Sequence, residues 1–279
     1  MIAYIDSPLQ LICAIEYQQK NHGINFFYIR RSSNETDKQI NYIIDKYSFL
    51  QLKFIYIPPL VFCNIFLWFR FIVFNFYKKI LFGNNDSLIG RFFINKTLSD
   101  DGTKTISILS RRSFKKYWTF FDVNDMKVHS FEFIKSFFNV NKLDETNLVY
   151  FIGQKLVEAQ LLENAKYLEL LKKVKIQFNN SKIYYFKHRG ESDNNLAEIK
   201  KMGFIVKSLD YPIEFHPIEE KIKPSHVIGF FSTALITLNE IYNINFSYLV
   251  VRKLLEEKHF GNNYVEIYKY LENKGKNIS

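Results

Sequence analysis

The 279 residues suit one large domain or two of ordinary size. They are 47% hydrophobic and 24% charged, enough apolar material for a sizeable core, which excludes a disordered chain. A net charge of +10 points to anionic neighbours, but Lys and Arg are scattered rather than gathered in one block, which counts against nucleic-acid binding.

The opening "MIAYIDSPLQLICAIEYQQK" reads as strand, turn and helix. Ile2 to Ile5 is a short apolar run, Asp6 and Ser7 are capping residues, and Pro8 suits a first helical turn. Leu9, Ile12, Cys13 and Tyr17 recur at helical spacing, so Cys13 reads as a buried thiol. Neither Cys13 nor Cys63 belongs to a CxxC pair, and neither a disulfide framework nor a zinc site is expected. Asp6 interrupts the first apolar run, so no secretory leader is read there, and a cytoplasmic location is the expectation.

"NFFYIRR" is the next predicted strand, "ETDKQINYIIDKY" an amphipathic helix and "LKFIYIPP" a third strand. This alternation predicts a parallel sheet with helices on both faces. Residues Leu60–Phe82, "LVFCNIFLWFRFIVFNFYKKILF", carry one charge, Arg70, before Lys78 and Lys79. Three readings stand: a core helix, a helix lying on a membrane surface with the lysines at the headgroups, or a spanning helix. Asn64, Arg70 and Asn75 oppose the last. "RFFINKTL" reads as a strand that stops at Asp100–Asp101–Gly102, and "TISIL" and the basic, aromatic "RRSFKKYWTFF" follow.

"NLVYFIGQ" then starts a strand afresh and ends at Gly153. "LLENAKYLELLKKVKIQF" is a helix and "SKIYYFKHRGE" a strand running into a polar turn. "NNLAEIKKMGF" is a helix with Gly203 placed as its C-cap. "HVIGFFSTAL" is a strand giving way to a helix at Ser232 and Thr233. "NFSYLVV" and "GNNYVEIYKYLENK" are the last strand and helix. The alternation restarts near residue 147, which predicts an α/β fold in two halves, 1–146 and 147–279, with a cleft between them and the boundary in the 125–147 stretch.

Ligands in open α/β sheets bind at the carboxyl ends of strands. Three polar turns stand at such ends: residues 99–103, 187–191 and 230–235. An Asp-Asp-Gly turn is ordinarily only a turn, yet a carboxylate at a strand end can take a proton from an attacking hydroxyl. His188 is either a solvated loop residue or a donor to a departing phosphate oxygen, with Arg189 adding charge. Ser232 and Thr233 are either a plain N-cap or a phosphate seat at a helix N-terminus. Glu214 can accept the two hydroxyls of a ribose, and His216–Pro217 is a rival for the histidine role. His22, His129, His226 and His259 fall in less suggestive places, and no cluster has metal-ligand spacing along the sequence. Neither GxGxxG nor GxxxxGK[ST] occurs.

The order of these motifs resembles the bacterial sialyltransferases of glycosyltransferase family 52 and the related capsule polysialyltransferases. That group has an acidic pair before glycine, a later His-Pro, and a Ser-Ser or Ser-Thr near the C-terminus. Here Asp100–Asp101–Gly102, His188–Arg189 and Ser232–Thr233 take those places, and "SPLQL" is similar to the group's first strand-to-helix turn. The resemblance implies a GT-B fold of two Rossmann-like domains, 1–146 on the acceptor side and 147–279 binding the CMP-sugar. It implies inverting transfer of sialic acid from CMP-sialic acid, without a required metal or cofactor. The acceptor would be a terminal sugar, galactose joined α2,3, of a lipooligosaccharide, O-antigen or capsule. By this likeness Asp101 is the general base, supported by Asp100 and Gly102, and His188 is the general acid beside Arg189. Gly153, Glu214, Ser232 and Thr233 bind the donor. Arg189 departs from the group's proline, which leaves the histidine's chemistry but alters its loop. Other nucleotide-sugar donors, or a non-catalytic membrane-surface protein, are the alternatives. A homodimer and contact with the inner membrane face are further expectations.

Overall fold

A computed structural model of the chain describes residues 1–59, 64–83, 89–111, 116–256 and 263–278. Cys63, His259, the start of the Leu60–Phe82 run and residues 112–115 of the basic aromatic stretch lie outside them. Two compact units are present. The first holds Met1–Thr105, Arg112–Ile134 and Asp210–Pro212; the second holds Ile106–Arg111, Lys135–Leu209 and Ile213–Ser279. The change of unit at Ile134/Lys135 precedes the 146/147 boundary read from the sequence. Glu16 accepts the backbone N–H groups of Phe133 (3.1 Å) and Ile134 (2.8 Å), which ties the chain to the first unit up to that point.

In the first unit, strands β1 (Ile2–Ile5), β2 (Phe26–Arg30), β3 (Phe54–Ile57), β4 (Ile80–Phe82), β5 (Lys96–Ser99) and β6 (Tyr117–Trp118) form one sheet in the order β3-β2-β1-β4-β5-β6. Every ladder is parallel. β1 is buried throughout because it is central. Helices α1 (Pro8–Asn21) and α2 (Asn34–Lys46) start at Ser7 and Ser33, whose hydroxyls accept the N–H of Gln10 and Thr36. The segment before the aspartates differs from its sequence reading. Ile89–Phe92 is a 3₁₀ turn, and only Lys96–Ser99 is extended. Helix α3 (Ile65–Asn75) has eleven residues, and the same apolar run then turns into β4. Among the described residues no helix is long and apolar enough to cross a membrane.

Helix α4 (Lys104–Arg111) follows the aspartate turn, and α5 (Glu132–Phe137) comes next. The second unit's strands are β7 (Asp144–Ile152), β8 (Lys182–Phe186), β9 (Ile205–Lys207), β10 (Ile222–Gly229), β11 (Asn245–Tyr248) and β12 (Lys276–Asn277). They run in the order β12-β11-β10-β7-β8-β9, again all parallel. Helices α6 (Asn164–Gln177), α7 (Asp193–Lys201), α8 (His216–Glu220), α9 (Thr233–Tyr242), α10 (Arg252–Glu256) and α11 (Asn263–Lys274) accompany them. Val149, Phe151, Leu171, Tyr185 and Ile228 centre its core. Gly203 ends α7 with φ +84°, the left-handed value a C-cap glycine supplies.

Both sheets thus have one strand order, 3-2-1-4-5-6 when each unit is counted from its own first strand. In such a sheet the order reverses next to the first strand, and loops diverge there to leave a crevice at the carboxyl ends. That switch point lies between β1 and β4 in the first unit and between β7 and β10 in the second.

Candidate active site

The first unit gathers Asp6, Arg30, Gly83 and Asp100–Asp101 at the carboxyl ends of β1, β2, β4 and β5. Parallel pairing alone brings these distant residues to one edge. Gln10, buried in the first turn of α1, links them. Its Oε1 accepts the Asp6 N–H at 2.7 Å, and its Nε2 donates to Asp101 Oδ1 at 2.9 Å. Gly83 is what lets Gln10 lie there: a Cβ at 83 would fall 2.4 Å from Gln10 Cδ. The Asp101 N–H donates to Thr105 Oγ1 at 2.8 Å, and Gly102, at φ +68°, turns the chain into α4. Arg30 Nε pairs with Asp6 Oδ1 at 2.5 Å on the flank.

The two adjacent aspartates are in unlike surroundings. Asp101 is half-exposed. Asp100 is fully buried, accepts the Phe120 N–H at 3.0 Å on Oδ2, and lies 3.9 Å from His129 Nε2. Burial pushes the Asp100 carboxyl up to about 8, against the pull of hydrogen bonds from Thr119 and Phe120 and with a further push from Asp101. It is a neutral acid near pH 7. His129 stacks on Trp118 with ring centroids 4.6 Å apart. Cys13, Asp100 and His129 bring potential ligand atoms within 4.8 Å of one another, a grouping that residues so far apart in sequence do not reveal. All three are buried, with the His129 ring stacked on Trp118 and the Asp100 carboxyl held by the Phe120 N–H.

In the second unit, Gly153 ends β7, His188 follows β8 and Ser232 follows β10. Gly153 and Ser232 therefore border the switch point. A Cβ on Gly153 would meet Glu191 Oε2 at 2.6 Å and both Phe186 O and Tyr185 Oη at 2.8 Å. Gln154 Oε1 accepts the Phe231 N–H at 3.1 Å, joining the β7 and β10 loops. Glu191 accepts the His188 N–H at 2.5 Å and the hydroxyls of Tyr185 and Tyr167. Burial raises its carboxyl to about 7 although those bonds favour the anion.

His188 is half-buried and Arg189 exposed. Burial, Arg189 and Lys155 all lower the His188 pKa, so the imidazole is neutral near pH 7. Its Nδ1 accepts the Gly190 N–H at 3.0 Å, which puts the ring hydrogen on Nε2 as a donor. The rival, His216, sits among Tyr150, Tyr184 and Phe186, and shares a 2.7 Å hydrogen bond between Nδ1 and Tyr150 Oη. It is 1% exposed and its pKa falls to about 4, the environment of a core residue.

The Ser232 hydroxyl accepts the Ala234 N–H at 3.3 Å, the N-cap role, and still has its own proton to donate. Glu214 accepts the Thr237 hydroxyl at 2.8 Å, and burial raises its pKa. Thr237 is one helical turn beyond Thr233, so Glu214 flanks the same end of α9. The structure thus sets Asp100–Gly102 at the edge of one sheet, and Gly153, His188 and Ser232 at the edge of the other. Gln10 and Glu191 are the residues the sequence reading missed. Both stand inside turns it had marked, "SPLQL" and residues 187–191.

No family model matches the chain, and neither does a curated protein. Solved structures do. The α/β-galactoside α-2,3-sialyltransferase of the luminous marine bacterium Photobacterium phosphoreum is 13% identical, with a TM-score of 0.50 over 99% of this chain and 98% of that one. MurG of Acinetobacter baumannii is 12% identical, with a TM-score of 0.46 over 99% of this chain and 85% of that one. The sialyltransferase likeness is one of fold: two Rossmann-like units of the GT-B type.

Proposed function

We infer that the chain is a glycosyltransferase that moves sialic acid from CMP-sialic acid to a terminal sugar, with inversion and no required metal. The observation that carries the reading is the aspartate pair: a buried neutral Asp100 anchors the turn, while half-exposed Asp101 is fixed by Gln10 and Thr105. Such a turn in a chain of this fold suits a general base.

In this mechanism Asp101 takes the proton of the acceptor hydroxyl as its oxygen bonds to the anomeric carbon. The bond from that carbon to the phosphate oxygen of CMP breaks, and the neutral His188 gives a hydrogen bond from Nε2–H to the departing phosphate while keeping its proton. Ser232, Thr233 and the N-terminus of α9 bind that phosphate, Glu214 the ribose, and Gly153 lets the turn beside the donor close onto Glu191 and β8. Terminal galactose, joined α2,3, is the acceptor on this reading, as in the name of the Photobacterium enzyme.

The test is a metal-free titration with CMP against UMP, GDP and ADP. CMP is expected to bind selectively, and Ser232→Ala with Thr233→Ala to weaken it. Equal binding of all four would remove the sialyl donor from the reading.

A further inference from the structure

The segment the catalytic reading leaves unused is α3. Its two faces differ. Trp68, Phe71 and Asn75, three or four residues apart, are buried, and Trp68 and Phe71 pack with Tyr4 and Phe82 in the core of the first unit. The opposite face presents Phe66 (72% exposed), Phe69 (64%) and Val73 (55%), flanked by Ile65, Leu67 and Phe74, with Tyr77 just beyond. Phe93 packs on Phe71 at 5.8 Å, which sets the exposed Phe92 and Ile94 beside the helix. Isolated exposed apolar residues are ordinary, but a continuous face of this size marks an interaction surface.

Charge identifies what covers it. From Phe54 to Ser99 the sequence has five basic residues, Arg70, Lys78, Lys79, Arg91 and Lys96, and a single acidic one, Asp86. Arg70 lies within the exposed apolar face, its guanidinium 5.6 Å from the Phe74 ring, so its charge can reach past the aromatic layer. Lys78 and Lys79 are exposed directly after the helix. Aromatic side chains among cations, with almost no anions, match a bilayer interface bearing acidic headgroups.

We propose that the outer face of α3, with Phe66, Phe69, Phe74 and Arg70, docks on the surface of an anionic lipid bilayer. The apolar side chains enter the headgroup–acyl boundary, and Arg70, Lys78 and Lys79 remain at headgroup level. The contact is peripheral, since α3 is too short to span.

The whole chain is to be co-sedimented with vesicles of phosphatidylcholine alone and of phosphatidylcholine mixed with phosphatidylglycerol. Binding is expected only to the mixed vesicles, falling as salt is raised. Phe66→Ser/Phe69→Ser/Phe74→Ser is expected to weaken it by roughly ten-fold or more, with circular dichroism unchanged. Arg70→Glu/Lys79→Glu changes only exposed side chains, so it tests the same face without touching the core. It is expected to weaken binding by roughly ten-fold or more. Absence of vesicle binding by the native chain, or binding indifferent to both variants, would overturn the proposal. So would self-association that the serine variant abolishes in a chain that ignores vesicles.

Discussion

The two polar turns at the sheet edges use one device in different ways. Each unit places a carboxyl of raised pKa behind the group proposed to do chemistry: the buried Asp100 behind Asp101, and the half-buried Glu191 behind His188. In the first unit the buried acid is the sequence neighbour of the working one, and a separate side chain, Gln10, fixes the latter. In the second, Glu191 itself holds the loop by accepting the His188 N–H. The first turn is therefore positioned by a contact spanning 91 residues, the second by one spanning three. Removing the working group should leave the first turn's architecture intact, whereas crowding Glu191 should distort the second.

The largest effect is expected from Asp101→Asn. Asparagine keeps an oxygen for Gln10 and a backbone N–H for Thr105, but it cannot take a proton. Turnover should fall by about 10²–10⁴-fold, with CMP affinity unchanged, in a radiolabelled transfer assay paired with a titration. Full activity would remove Asp101 from the base role.

A smaller effect, on stability first, is expected from Gly153→Ala. The added methyl meets Glu191 Oε2, Phe186 O and Tyr185 Oη, two of them on strand β8 and all within 2.8 Å. Overpacking of this kind costs about 1–3 kcal/mol. Denaturant unfolding should shift to match, and CMP affinity should drop because the His188 loop is displaced. An unshifted midpoint would mean that the turn adjusts and that glycine is not required there.

Much of this was legible in the sequence. Alternating apolar runs and capped helices gave two parallel sheets, because burial on both faces of a strand and on one face of a helix leaves different periods. Ser7, Pro8, Ser232 and Gly203 occupy the terminal positions their chemistry suits. Strand β4 was not legible. Its three buried residues continue an apolar helix, and a short central strand has no period of its own. Gln10 and Glu191 were hidden for another reason: their roles arise from strand order and burial, which bring Gln10 to Asp101 and close Glu191 under two tyrosines.

The subtlest prediction separates the two raised carboxyls by pH. The Asp100 carboxyl is at about 8 in the fold against 3.8 when free, and Glu191 is at about 7 against 4.5. A raised carboxyl pKa means the folded state keeps a proton that the unfolded chain releases. Its contribution to stability is complete below the free value, declines as pH rises through the interval, and is gone above the folded value. The native chain should therefore lose stability from about pH 4 to about pH 8 through Asp100, and over a narrower span through Glu191. Asp100→Asn and Glu191→Gln each remove one ionisation, so thermal unfolding across that range should flatten for both, and more for Asp100→Asn. If Glu191→Gln flattens the curve more, the tyrosine-lined turn rather than the aspartate pair holds the more costly carboxyl, and the contrast between the two edges is reversed.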